Sequence, residues 1–447
     1  MIKMHSLSWI TATGLLASVL SGCGESGVKP EADGKEPAKP GAAAVTATKN
    51  PEDFKGEITV WRGYKEVDEL FMKKYPNVKV NNTTPSDAED KFVTALAAGT
   101  GAPDVVHLHE AHYWKVKATD GLENLLDAPY NAGLLQNDFL KAAWDMSLSL
   151  DGKRLYGLPF QLTPYVMFYR ADIFEENGFP TDPAEVGKLV ADPDRFFEMA
   201  QKLRSRGHYF FRKTAEVTDI ASPNLGYFDK ELNFSRNTDA FAKAIDYAKR
   251  AAQLDLIYEK SKEETDRAVN NGGLVTYFGG TSRISSFLPG GTLSQNQGKW
   301  RVTTLPFGQA PGLVYGTFII PSQSKNKDIA WEYIKFATMS PEAQKVYMNY
   351  AELSPYLPHR NLPAVKDYGE PAIGGQKLLQ LGFSIQDRIP YQSNIPLDAK
   401  AKEIWSKKLA EALTKNQDSR AVLKDMADET EKAVAPDKEK LKKAIGK

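Results

Sequence analysis

The stretch Gly152–Phe174, GKRLYGLPFQLTPYVMFYRADIF, decides how the chain is organised. Asp151-Gly152 supplies the positive-φ position that a tight hairpin needs. Leu155–Pro159 is short and apolar, and Val166–Tyr169 is a second apolar run of strand type. Between them Pro159 and Pro164 lack backbone donors, so the middle part does not read as an ordinary central strand. Gln161, Thr163 and Tyr165 interrupt an otherwise buried pattern. Such a pattern fits a chain that crosses between two bodies and lines the space between them. It also fits two strands of one kinked sheet.

Upstream, Lys3 and His5 precede an apolar run, Leu7–Leu20, that is short for a membrane span. Leu20-Ser21-Gly22-Cys23 follows and resembles the lipobox of bacterial lipoproteins. That resemblance implies a signal peptide over 1–22, acylation of Cys23, and a chain held at the outer face of the bacterial cytoplasmic membrane by its lipid. Cys23 is the only cysteine, which excludes a disulfide framework and a cysteine metal site. Residues 23–53, rich in Gly, Pro, Ala, Lys and Glu, read as a disordered tether.

From Phe54 onward the chain is long enough for two or three domains. The hydrophobic content of 42% supports real cores, and 57 basic residues balance 57 acidic ones. That balance leaves no electrostatic footprint for nucleic acid. Strands at Gly56–Trp61, Val78–Val80 and Val105–Leu108 alternate with helices at Val67–Tyr75 and Ala88–Ala98, which argues for a doubly wound α/β sheet. Ligands of such sheets sit beyond the strand carboxyl ends, where Trp61, Tyr64, His109 and Glu110 fall. Three of the six histidines, His107, His109 and His112, lie together. One strand end is a loose template for metal, and the reading taken is a packed His107 and no metal site. Gly279-Gly280-Thr281-Ser282-Arg283 turns a strand into a helix, exposing N–H groups suited to an anion or a hydroxyl. Arg283 reads equally as a ligand clamp or a surface ion-pair partner.

The order of segments resembles the extracellular solute-binding proteins of ABC importers, in the maltose-type sugar-binding family. The residues that carry the resemblance are Gly56–Trp61, Ala102–Val106, Tyr156–Pro159, Phe168–Asp172, Tyr277–Gly280, Ile319–Pro321, Ser324–Asn326, Ala330–Ile334, Ser340–Gln344 and Tyr356–Pro358. It implies two doubly wound α/β lobes joined by hinge crossings near Phe160–Thr163, Leu305–Phe307 and Ile320–Ser324. The N-terminal lobe is then 54–160 with 306–322, and the C-terminal lobe 161–305 with 323–447. Position by position, the ligand contacts implied are Trp61, Tyr64, Glu110, Thr163, Tyr165, Gly280, Thr281, Ser282, Tyr315, Gly316 and Tyr356. Gln161 and Arg283 join them by residue chemistry, since aromatic faces with Gln, Thr, Glu and Arg suit a sugar. Many relatives carry Pro-Trp after the Gly-Gly. Thr281-Ser282-Arg283 here removes one stacking platform and admits an anionic polyol or a uronate. The expected protein is a monomeric binder without cofactor or catalytic residues that serves membrane permease subunits. A secreted glycosidase, which needs paired carboxylates, and a surface adhesin are the competing classes.

Overall fold

The computed structural model describes residues 49–117, 120–223, 226–310, 314–392 and 395–445. The expected signal peptide, Cys23 and nearly all of the tether lie outside the described residues. The chain runs β1 (Gly56–Trp61), α1 (Lys65–Lys74), β2 (Val78–Thr83), α2 (Ala88–Ala98), β3 (Val105–His109), α3 (Glu110–Lys117), α4 (Lys141–Ser147) and β4 (Gly157–Thr163). Next come β5 (Tyr165–Arg170), α5 (Ala171–Glu176), α6 (Pro183–Ala191), α7 (Pro193–Arg204), α8 (Thr214–Ala221), α9 (Asp239–Gln253), α10 (Lys262–Asn271), β6 (Thr276–Gly280) and β7 (Trp300–Thr303). Then follow β8 (Val314–Ile319), α11 (Lys327–Met339), α12 (Pro341–Met348), α13 (Leu378–Gln386), α14 (Asp398–Thr414) and α15 (Ser419–Ala444). Among the described residues no helix is long and apolar enough to cross a membrane.

Two sheets result, in the orders β2-β1-β3-β8-β4 and β6-β5-β7. β1 runs parallel to β2 and β3, while β8 is antiparallel to β3 and β4. The α/β expectation therefore holds for the first sheet, whose early strands are wound by α1 and α2. The second sheet departs from it, because β5 is antiparallel to both β6 and β7. β5 is central there and buried on both faces, so alternate side chains serve opposite cores. Met167 and Tyr169 pack with Phe174, Phe196 and Phe210. Val166 and Phe168 pack with Phe287, Trp300 and Leu353.

Pro159 sits in a regular strand after all. β4 is the outermost strand of its sheet, and its register shifts between Pro159 and Gln161. An edge position and a bulge are the two places where a strand tolerates a missing donor. Pro164 is then the single residue between β4 in one sheet and β5 in the other.

α11 and α12 correct the expected assignment of 323–447. Ile329, Trp331, Tyr333, Phe336 and Tyr347 are buried with Ile58, Phe71, Leu158 and Phe318 in the first core. The hydroxyl of Tyr333 donates to the buried carboxylate of Asp68 on α1 at 2.5 Å, which ties α11 to that lobe. Ile320–Ser324 is accordingly no crossing. Glu123 and Ser322 fix it to the first lobe through Glu123 N–H to Ile320 O and Ser322 N–H to Gly121 O. The later crossing lies at Met348–Leu353, where Met348, Ala351 and Leu353 enter the core of the second lobe. Leu305 and Phe307 are likewise still packed in the second lobe, so that crossing starts beyond them.

Candidate functional site

The two crossings run side by side. Leu162 N–H donates to Leu353 O at 2.9 Å, and the Thr281 hydroxyl donates to Ala351 O at 2.8 Å. This places Glu352 at the junction. Its carboxylate accepts from the Thr163 hydroxyl, 3.3 Å from Oε2. Burial lifts its carboxyl to about 7, with the Thr163 bond pulling the other way. Tyr64 lies beside it, its ring 5.1 Å from Tyr347, 5.8 Å from Tyr350 and 6.0 Å from Phe160. Burial and the Glu352 charge push the Tyr64 phenol far up, so it stays a neutral donor.

Below this junction, His107 Nδ1 lies 3.2 Å from the carbonyl oxygen of Arg62 and so carries the proton. Burial keeps the ring neutral, which leaves Nε2 an acceptor. Nε2 and Gln161 Oε1 have no hydrogen-bond partner among the described residues. Both point at Gly316, lying 2.9 Å and 3.0 Å from where a Cβ would stand, with Phe160 Cε1 at 2.5 Å. Gly316→Ala is therefore expected to cost about 1–3 kcal/mol by overpacking. Urea unfolding checks this, and an unchanged midpoint would mean that Phe160 has room to yield.

On the second lobe, a line of charged and aromatic groups leads away from Tyr165. Arg212 packs 4.2 Å over the Tyr277 ring and bonds Glu216 Oε1 through Nε at 2.7 Å. Asp219, one turn along α8, is raised by burial and held back by Arg236. The Arg236 guanidinium stands 3.6 Å over Tyr227 and 5.1 Å from the Trp405 ring. Together Asp219, Tyr227, Arg236, Lys402 and Trp405 line a cavity of about 500 Å³ between α8, α9 and α14. A flat cation on a ring face, with a carboxylate opposite, is chemistry suited to a polyhydroxylated ring.

The residues named from sequence fall at several different places. Gln161, Thr163, Gly316, Tyr64 and half-buried Tyr165 meet at the junction, and Gly280 pairs with Tyr165 in the ladder. Thr281 is fully buried and its N–H donates to Pro164 O, so the Gly-Gly turn does not offer that donor to an anion. The turn continues as a 3₁₀ helix, Thr281–Ser286, with Ser282 half-buried and Arg283 exposed. Two tyrosines are core residues. Tyr315 is fully buried with its hydroxyl 2.5 Å from Ser147 Oγ, and Tyr356 packs against Phe139 and His359. Trp61 is half-buried at the edge of the cluster around Val106 and Tyr315. Glu110 opens α3, and its side chain lies outside the described set. His107 and His109 meet edge to face at 4.6 Å. Among the described residues no group of three His, Cys, Asp or Glu side chains gathers as for a metal. Sequence reasoning missed Glu352, Arg212, Asp219 and Arg236. Only Glu352 carried a signal, since it lies between the Ser340–Gln344 and Tyr356–Pro358 segments of the resemblance.

Residues 66–370 match the model of a family described as bacterial extracellular solute-binding protein. Over 334 residues the chain is 26% identical to an arabinooligosaccharide-binding protein of Bacillus subtilis (strain 168), covering 65% of this chain and 70% of that protein. It is 25% identical over 296 residues to a lactose-binding protein of Rhizobium radiobacter, covering 59% and 65%. Its fold is similar to that of the sugar-binding protein MalE from the phytopathogen Xanthomonas citri, with a TM-score of 0.70 and 19% identity over 87% of this chain and 99% of the other.

Proposed function

Because the chain belongs to the bacterial extracellular solute-binding protein family, we propose that it captures a sugar or oligosaccharide between its lobes and delivers it to the permease of an ABC importer. The observation that carries this reading is the wall from Tyr165 to Tyr227. Ring faces alternate there with Arg212, Asp219 and Arg236, which supply both stacking and charge-assisted hydrogen bonds. Relatives named for binding arabinooligosaccharide and lactose support a carbohydrate over other solutes. In this reading Tyr64, Gln161, Thr163, Tyr165 and Ser282 contact the ligand with Glu352. Tyr315 and Tyr356 support the wall from within. The protein binds without turnover, works as a monomer and is tethered through an acylated Cys23.

Thermal-shift and calorimetric titration against arabino-oligosaccharides, lactose and maltodextrins tests the proposal. A ligand that binds only the folded state must raise the melting temperature. Tyr165→Ala is expected to weaken the hit by about tenfold to hundredfold, from roughly 1–3 kcal/mol of lost apolar burial. Labelled oligosaccharide should be recovered intact after saturation. Released reducing ends would move the protein to the glycosidases, and no shift with any sugar would sink the carbohydrate reading.

A further inference from the structure

Beside the wall, the two lobes face each other across a second hollow. Lys141 and Asp145 of α4 and the turn at 148–152 bound it on the first lobe, and the turn at 229–232 bounds it on the second. It consists of one cavity of about 430 Å³ and another of about 420 Å³. Lys141, Asp145, Lys230 and Tyr391 line both, so the two join in a single groove. Tyr391 is half-buried and packs on the cluster of Val106 and Tyr315 at whose edge Trp61 sits. The ammonium of Lys230 stands 4.7 Å from its ring centre. Leu232 and Ile395 supply an apolar floor, and Tyr227 of the wall packs against the same cluster as they do. The groove therefore borders the surroundings of Trp61 and those of Tyr227. Its polar lining is mostly acidic. Lys141 pairs with Asp145 at 2.6 Å, and Lys230 is set against the further carboxylates of Asp151, Asp229 and Glu231.

We infer that this groove holds the outlying rings of a neutral oligosaccharide whose leading rings lie at the wall from Tyr165 to Tyr227. The inference rests on the carbohydrate reading and deepens it, from a sugar of any size to a chain longer than a disaccharide. Shape gives the length, because two cavities in series take a chain rather than a single ring. Charge gives the neutrality. Carboxylates take hydrogen bonds from hydroxyl groups and repel uronate or phosphate. The groove therefore selects against the anionic polyols and uronates that Thr281-Ser282-Arg283 seemed to admit. Tyr391 gives the anchor. It lines both cavities, and an aromatic face suits the apolar face of a sugar ring. Burial pushes its phenol up to about 12, so the hydroxyl stays neutral and can both donate and accept.

The test is calorimetry of the wild type, Tyr391→Ala and Glu231→Trp with arabino-oligosaccharides and malto-oligosaccharides from the disaccharide to the hexasaccharide. Oligogalacturonides of the same lengths are the anionic probes. Glu231 is exposed on the groove, so a tryptophan there narrows it without entering a core. The melting temperature without ligand verifies that each variant folds, and Glu231→Trp decides alone if Tyr391→Ala does not. In the neutral series that binds, wild-type affinity is expected to rise by about tenfold to hundredfold from the disaccharide to the longer chains, the range for one more ring buried on an aromatic face. Each variant is expected to abolish that rise and to leave the disaccharide unchanged. A disaccharide bound as tightly as the hexasaccharide would leave the groove without a ligand and overturn this inference, with the carbohydrate reading intact. Equal losses at every length would make Tyr391 a support of the fold and overturn it as well. A rise confined to the oligogalacturonides would overturn the neutral chain. If no probe binds, the carbohydrate reading falls and this inference with it.

Discussion

Glu352→Gln is expected to gain stability over the parent as the pH rises from about 4.5 to about 7, by about 2–3 kcal/mol at pH 8. The folded carboxyl of Glu352 sits at about 7 against an ordinary value of 4.5. Each unit of separation corresponds to about 1.4 kcal/mol, trimmed because the group still reaches solvent. The sign follows from proton linkage. The native state holds this proton more tightly than the unfolded chain, so the parent is most stable below the unfolded value. It loses that stability as the pH climbs through the folded value and is level above it. Gln has the same shape and no charge, so the variant lacks this loss. Urea unfolding of both proteins from pH 4 to pH 8 reads the difference directly. Curves that stay parallel across that range would show Glu352 to be solvated or paired.

Phe160→Ala should be more damaging, at about 3–5 kcal/mol, the range for removing a buried aromatic ring. Phe160 is 1% exposed, and its ring lies 4.6 Å from His107, 4.8 Å from Phe318 and 5.3 Å from Tyr347. It is the bulged residue of β4, and it holds Tyr64 in place at the junction. The same variant should also weaken sugar binding, through a Tyr64 left without support. Equilibrium unfolding gives the first effect and calorimetry the second. A loss below about 1 kcal/mol would mean that Tyr64 and Tyr347 collapse into the space.

Much of the fold was legible because local chemistry and tertiary position agreed. Ser340-Pro341 caps α12 as its residues predict, the serine side chain accepting from Ala343 N–H. In the structure Asp192 also caps α7, accepting from Asp194 N–H and Arg195 N–H. The crossing after β4 was readable from Gln161, Thr163 and Pro164. What was not legible depends on which strand is outermost and which core a helix chooses. Nothing in Pro159 itself says that β4 is an edge. Nothing in Trp331 or Tyr333 says that α11 returns to the first sheet, because an amphipathic stripe is the same whichever core it meets. The site follows that division. Tyr165 was named for its place beside the crossing, where it is half-buried. Asp219, Arg236 and Lys402 are single charged residues scattered over the chain, and only folding gathers them. Tyr315 and Tyr356 were read as lining because an aromatic at a strand end looks alike from either side.

Pro164 has a consequence of another kind. Its ring fixes φ, so the link between β4 and β5 keeps few soft torsions and no slack. Such a link lets the lobes turn about it but not slide apart. Thr163, Tyr165 and Glu352 sit at that pivot. Asp219, Arg236 and Trp405, which line the cavity between α8, α9 and α14, belong to an arm, where the same rotation is a longer arc. The molecule then behaves as a pair of callipers. A solute of the right girth is gauged at the arms, and its size is expressed as an angle. A docking partner outside need not touch the solute at all, because it can read the gauge from the spacing of the two lobes.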